Sequence, residues 1–359
     1  MARDFVSNDE IIQEAYRRLS QGAWDYLVGG SESETSMRRN RHGFDRIAFR
    51  PRILVDVANV DPSTTFLGQQ LRIPAILAPV GSLQEFDPDG GAAAARGATA
   101  FGTMQAVSSV TMPSLEEIAT ASATPKIFQL YVQGDREWTR DIVGRVKQAG
   151  YAALAITVDV ARYSRRERQM VTRYAPPTRR EPPDPKWRAS LTWDTLDEIR
   201  EMWGDGPFML KGVMTGEDAA LAVQHGVDYV WVSNHGGRQL DHTLGSAEVM
   251  PEIVQAVAGR ARIILDSGVQ RGSDIIKAIA LGADVVALGK LQGWALAAAG
   301  AEGVTRMLEI LEDEMIVSMG LMGVTKVDQI TSSYICEGET VTPAHEMSAW
   351  VNKPQDRFV

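Results

Sequence analysis

The segment Ser233-Asn234-His235-Gly236-Gly237-Arg238-Gln239-Leu240-Asp241 follows the apolar run from Asp228 to Val232, so it sits where a strand ends. His235 has a side chain that exchanges a proton near neutral pH, and Arg238, three residues on, can grip a carboxylate through two parallel bonds. Two glycines between them allow a tight turn and a close approach of backbone to a ligand. A base and an anion-gripping fork meeting on one small molecule suit the oxidation of a 2-hydroxy acid.

The elements that must position this pair are legible around it. From residue 73 onward, short β-type runs alternate with helix-type runs: Ile73 to Ala78, Gly102 to Val107, Lys126 to Val132, Ala152 to Val158, Phe208 to Val213, Asp228 to Val232, Arg262 to Leu265 and Asp284 to Leu288. Helical patterns lie between them at 90–100, 115–121, 136–149, 216–225, 246–257 and 273–281. Eight buried β runs with intervening helices predict an α/β fold, a (β/α)8 TIM barrel rather than an open sheet. Catalytic groups of such barrels gather at the C-terminal strand ends, and polar residues fall there repeatedly: Ser108, Gln129, Tyr131, Thr157, Asp159, Lys211, Ser233, His235 and Asp266.

The reading is of a single domain over 1–359: an N-terminal helical extension (1–70), the barrel (71–318) and a C-terminal segment (319–359). Ser7 and Glu10 predict a capping box ahead of an amphipathic helix carrying Ile11, Ile12, Ala15 and Leu19, with Tyr26 near the end of that segment. Between the fourth and fifth strands, residues 163–191 interrupt the rhythm. Arg165, Arg166, Arg168, Arg173, Arg179, Arg180 and Arg188 alternate there with Pro176, Pro177, Pro182, Pro183 and Pro185, which suits a mobile lid over the barrel mouth or, beyond its first residues, a solvated loop.

Composition narrows the class. A chain of 359 residues with 44% hydrophobic content can bury a full core, and a net charge of −9 with a pI near 5.2 argues against nucleic acid as a partner. Cys336 is the lone cysteine, so no internal disulfide and no cysteine-built zinc site can form; it is expected to be a packed thiol in a reducing compartment. The first ten residues are polar and acidic, and no stretch reaches about 18 consecutive apolar residues, so the expectation is a cytoplasmic protein without membrane attachment. No metal site is expected.

Trp24-Asp25-Tyr26, Phe49-Arg50-Pro51-Arg52, Ala78-Pro79, Phe128-Gln129-Leu130-Tyr131, Thr157-Val158-Asp159, Arg165-Arg166-Glu167, Leu210-Lys211-Gly212, the segment from Ser233 to Asp241 and Asp266-Ser267-Gly268 follow one another in order along nearly the whole chain. As a set they resemble the FMN-dependent 2-hydroxy acid oxidases and dehydrogenases, the family of glycolate oxidase, lactate oxidase and mandelate dehydrogenase. The resemblance implies that His235, supported by Asp159, accepts the hydroxyl proton of an (S)-2-hydroxy acid while a hydride equivalent passes from C2 to flavin N5. It implies that Arg166, Arg238 and Tyr26 hold the substrate carboxylate and that Tyr131 faces the substrate hydroxyl. Lys211 is implied near flavin N1 and O2, where a fixed cation stabilises the charge arriving on reduction. Ser108, Gln129, Thr157 and Ser233 match positions along the isoalloxazine edge, and the backbone of Ala78, Pro79, Val80 and Gly81 should lie beside N5. Asp266, Ser267, Gly268, Gln270, Arg271, Gly289 and Lys290 would form the phosphate end. Oxygen, a quinone or a carrier protein would reoxidise the flavin, and family members are usually tetramers.

Some positions depart from the family pattern. Gln270 and Lys290 stand where arginine is usual, which removes one cation and turns one bidentate fork into a point charge, with Arg271 next door as a candidate to compensate. Val110 replaces an aromatic residue and Tyr163 a smaller aliphatic one, so the substrate pocket should differ in shape. Gly81 stands where alanine is frequent, which leaves open a monooxygenase variant that decarboxylates oxidatively. An FMN-dependent barrel isomerase acting on a diphosphate would share the phosphate loops but not the Arg166 and Arg238 clamp. A silent flavin binder would not need His235, Asp159 and Lys211.

Overall fold

Each of the eight apolar runs forms a strand: β1 (Ala75–Leu77), β2 (Ala106–Ser108), β3 (Ile127–Leu130), β4 (Ala153–Thr157), β5 (Phe208–Val213), β6 (Tyr229–Val232), β7 (Arg262–Leu265) and β8 (Val285–Leu288). Parallel strands covered on both faces need apolar residues at consecutive positions, and β1 to β4 and β8 are buried throughout. Neighbours pair in parallel from β2 through β8, and β8 pairs with β1. A parallel bridge between Leu77 and Gln105 closes the ring. This is the expected (β/α)8 barrel. The computed structural model describes residues 2–176, 180, 184–341, 343, 345 and 347–350, so Pro177, Arg179, Pro182 and Pro183 of the insertion lie outside the described residues.

The barrel interior is packed rather than hollow. Ile76, Met104, Met209, Trp231, Ile264 and Val285 fill it, and Phe66 and Leu71 join the same cluster from the hairpin Thr64–Phe66/Gln69–Leu71. Outside the strands, the six anticipated helices form within a residue or so of their expected bounds. Two further helices complete the ring, Trp193–Trp203 after β4 and Lys290–Met322 after β8. The first is capped by Thr192, whose hydroxyl accepts from the Thr195 N–H, and it follows the long insertion that obscured its period. The second breaks at Ala299 and Gly300, whose backbone leaves helical geometry, and it runs past residue 318 to Met322.

The N-terminal extension opens with three α-helices. Ser7 caps α1 (Asn8–Arg18) by accepting the Glu10 N–H, but the Glu10 carboxylate accepts from the Val6 N–H at 2.9 Å, so half of the expected capping box forms. The chain becomes extended at Leu19, and Ser20 caps α2 (Gln21–Val28), which carries Trp24, Asp25 and Tyr26. After α3 (Thr35–Asp45) the extension is no longer helical: Ile47–Phe49 pairs antiparallel with Ile335–Glu337. Cys336 lies on that second strand and is exposed, contrary to the packed thiol expected, because the two-stranded ribbon lies at the surface with this part of its face uncovered. Among the described residues, no helix is long and apolar enough to cross a membrane.

Candidate active site

The loop after β6 is shaped by three consecutive left-handed residues, His235, Gly236 and Gly237, with φ of 61°, 70° and 73°. Gly237 is obligatory there, since a Cβ would stand 2.4 Å from the Met37 backbone nitrogen in α3. Its carbonyl accepts the Ser31 N–H at 2.9 Å, and Asp241 accepts the Ser36 and Thr35 N–H groups at the start of α3. Despite its burial, those backbone donors hold the Asp241 carboxyl at about 2. The extension and the His235 loop are thus clasped together.

This clasp aims the imidazole. His235 Nδ1 lies 3.2 Å from both oxygens of Asp159, and Nε2 lies 3.2 Å from Tyr131 Oη. A carboxylate beside Nδ1 favours the proton on that nitrogen and leaves the Nε2 lone pair toward the pocket. Burial pulls the His235 pKa below 6.5, outweighing the opposing pull of Asp159, so the ring is a neutral base at neutral pH. Burial would raise Asp159, but His235 and then Lys211 hold it below its ordinary value as a carboxylate.

Lys211 near the end of β5 is buried, donates to Ser233 Oγ at 2.7 Å and lies 3.1 Å from Asp266 Oδ2. Burial alone would lower its pKa, yet Asp266 and Asp159 raise it, so the ammonium persists. Asp266 is itself fixed by the Trp231 indole N–H at 2.9 Å and by Ser267 Oγ at 2.7 Å.

Two guanidiniums face the same cavity of about 160 Å³, together with Tyr26, Val110 and Tyr131. Arg238 donates to the Gly29 carbonyl at 2.7 Å and lies over the Tyr26 ring, 5.3 Å from its centroid. Burial first, and Arg166 second, bring its pKa down to about 10. Arg166 donates to Gln239 Oε1 at 3.1 Å and to the Arg238 carbonyl at 3.2 Å. Two like charges brought together out of water favour an anion between them. Tyr163 does not line the cavity; its ring lies 4.4 Å from the Arg166 guanidinium carbon, so it reaches the site through that arginine.

Behind this cavity the strand ends hold polar atoms that find no partner among the described residues: both amide atoms of Gln129, which is fully buried, and Thr157 Oγ1. Buried polar groups are ordinarily hydrogen-bonded, so these await a ligand edge carrying donors and acceptors. Ser108 is buried on the neighbouring strand, and Ala78, Pro79, Val80 and Gly81 supply one wall of the cavity. Gly268, Gln270, Gly289 and Lys290 line it as well, from the loops after β7 and β8. The donor set fits a flavin, with a polar ring edge at one end and a phosphate at the other.

Arg271 does not serve the phosphate end. Its guanidinium pairs with Glu314 of the last helix and lies over Trp350, which turns it away from the cavity. Lys290 donates to the Val28 carbonyl at 2.6 Å. Sequence reasoning missed Met37, Asn40 and Arg41 of α3, which also line the cavity. Arg41 is buried, bonds the Gly268 carbonyl at 2.6 Å and Asp274 at 2.7 Å, and leaves its Nε without a partner among the described residues. Nothing in their spacing along an amphipathic helix announces that they face the pocket.

A (β/α)8 barrel with these groups at its C-terminal mouth defines a flavin-dependent oxidoreductase. Residues 15–337 match the family of FMN-dependent dehydrogenases, and this chain belongs to that family, with FMN as its cofactor. It is similar to the L-lactate oxidase of Nostoc sp., 37% identical over 91% of this chain and 96% of that protein, and to the glycolate oxidase of Spinacia oleracea, 37% identical over 89% and 93%. Among solved structures, mandelate oxidase superposes with a TM-score of 0.86 at 35% identity, covering 93% of this chain and 99% of the other.

Proposed function

We propose that this chain oxidises an (S)-2-hydroxy acid to the 2-oxo acid. The observation that carries the reading is the line Asp159, His235, Tyr131 facing the Arg166 and Arg238 pair across one cavity. Arg166 and Arg238 grip the carboxylate, and Tyr26 adds a donor once its hydroxyl leaves the Gly81 carbonyl, 3.1 Å away. Tyr131 hydrogen-bonds the C2 oxygen, and His235 Nε2 takes the hydroxyl proton while Asp159 stabilises the imidazolium. Bound FMN supplies the two-electron oxidant that accepts the hydride equivalent from C2. Lys211 offers a fixed positive charge beside the ring edge formed by Ser108, Gln129, Thr157 and Ser233. Asp266 and Ser267 hold that lysine and the His235 loop in place, because Ser267 Oγ also accepts the Gly236 N–H at 2.9 Å. Gly268, Gln270, Gly289 and Lys290 hold the phosphate.

Oxygen is the acceptor favoured, since the relatives named above are oxidases. A homo-oligomer, read as a tetramer, is supported by the exposed apolar residues Ile53, Leu54, Val55, Val317 and Leu321. A cytoplasmic location is read from the sequence, whose single cysteine suits a reducing compartment.

The test is an anaerobic titration of the FMN-loaded protein with glycolate, lactate, mandelate and longer (S)-2-hydroxy acids. At least one should bleach the oxidised-flavin band near roughly 450 nm. His235→Ala should bind flavin normally and slow bleaching by about 10² or more. No bleaching by any acid, or an unaffected His235→Ala, would sink the reading.

A further inference from the structure

Three arginine–tyrosine stacks surround the mouth of the barrel. Arg238 lies over Tyr26 at 5.3 Å and Arg166 over Tyr163 at 4.4 Å, and both arginines already belong to the carboxylate clamp. The third has no role so far: Arg188 sits with its guanidinium carbon 4.7 Å from the centroid of the Tyr131 ring. It comes from Lys186–Ala189, a single helical turn in the insertion, and is half-buried.

The ring it covers is the one whose hydroxyl meets His235 Nε2. A cation on the face of a phenol stabilises electron density that builds on the ring as its O–H bond is polarised, so the hydroxyl becomes a stronger donor. Arginine suits this position because it stays charged and its flat group stacks. Lys211 and Arg238 also bear electrostatically on Tyr131, but from β5 and from the loop after β6 rather than from the Lys186–Ala189 turn. The near half of the insertion is fixed separately: the Arg165 carbonyl accepts the Glu32 N–H at 2.8 Å, Arg168 pairs with Glu34, and the Tyr174 hydroxyl bonds Glu85. Arg188 brings the Lys186–Ala189 turn onto the reacting end of the pocket.

We propose that Arg188 is a positioning residue for the oxidation, acting through Tyr131. Seated on the ring, it strengthens the hydrogen bond that Tyr131 gives to the C2 oxygen, so the placement of the Lys186–Ala189 turn and the donor strength of Tyr131 are coupled. The inference rests on the 2-hydroxy acid reading above.

The experiment is rapid anaerobic reduction of the FMN-loaded enzyme by the acid that bleaches it fastest, across pH. Arg188→Ala is expected to slow reduction about tenfold, or about 1.4 kcal/mol, with little change in the substrate concentration for half-saturation. Arg188→Lys should recover part of the rate, and an alkaline limb due to Tyr131 should move to higher pH when the cation is removed. In a Tyr131→Phe background, Arg188→Ala should have no further effect. Full additivity of the two substitutions, or wild-type reduction by Arg188→Ala, overturns the inference while leaving the His235 result standing. Failure of any acid to bleach the wild type overturns both. If Arg188→Ala does not hold flavin, Arg188→Lys against Arg188→Gln in the two backgrounds decides by the same criterion.

Discussion

At the scale of single residues, the proposed role of His235 as the base makes its protonation the source of the pH response. The base works only when neutral, and burial holds its pKa below 6.5. The acid limb of flavin reduction should therefore lie at lower pH than an ordinary imidazole would give. Asp159 is the group that raises the His235 pKa most, so Asp159→Asn should lower the plateau rate, because the imidazolium loses its partner, and shift the acid limb further down. A limb that moves up in Asp159→Asn would contradict the geometry. That His235, Asp159 and Arg238 lie at strand ends around one site was legible in the sequence, and the roles proposed for them came from the resemblance to the FMN-dependent family. The direction of Arg271 was not, because Glu314, 43 residues away, decides it.

At the scale of elements, the β1 loop and the β2 loop are fitted to each other. A Cβ on Gly81 would lie 2.9 Å from Val110 Cγ2, so the smaller residue at 81 accompanies the branched residue at 110. Gly81→Ala should cost about 1 kcal/mol or more by overpacking, and Val110→Ala in the same chain should relieve most of it. Chemical denaturation of the two single variants and the double variant measures this, and additive effects would show that the loops do not press on each other. The strands were readable because burial on both faces demands continuous apolar runs. The helices after β4 and β8 were not read: the insertion masked the first, and the break at Ala299 and Gly300 blurs the period of the second.

At the scale of the molecule, Ile53, Leu54 and Val55 extend from the loop whose Arg52 N–H bonds the Met322 carbonyl at 3.0 Å, close to the exposed Leu321 on the last helix. Burying that surface against another copy would offset the cost of exposing it to water. Leu54→Asp should shift the proposed homo-oligomer toward smaller species in light scattering with the flavin still bound. An unchanged mass would mean that this surface is not a subunit contact.

The sequence by itself determined the barrel, through the periodicity of its apolar runs, and the FMN-dependent family, through an ordered set of motifs that resembles it; the roles proposed for the base, the clamp and the buried lysine were read from that resemblance. Tertiary structure alone decided that α3 contributes Arg41 and Asn40 to the pocket, that Arg271 turns outward, that Cys336 is exposed and that Arg188 lies on Tyr131. Each depends on contacts between residues far apart in the chain, and local patterns carry no record of which distant surface a side chain will meet.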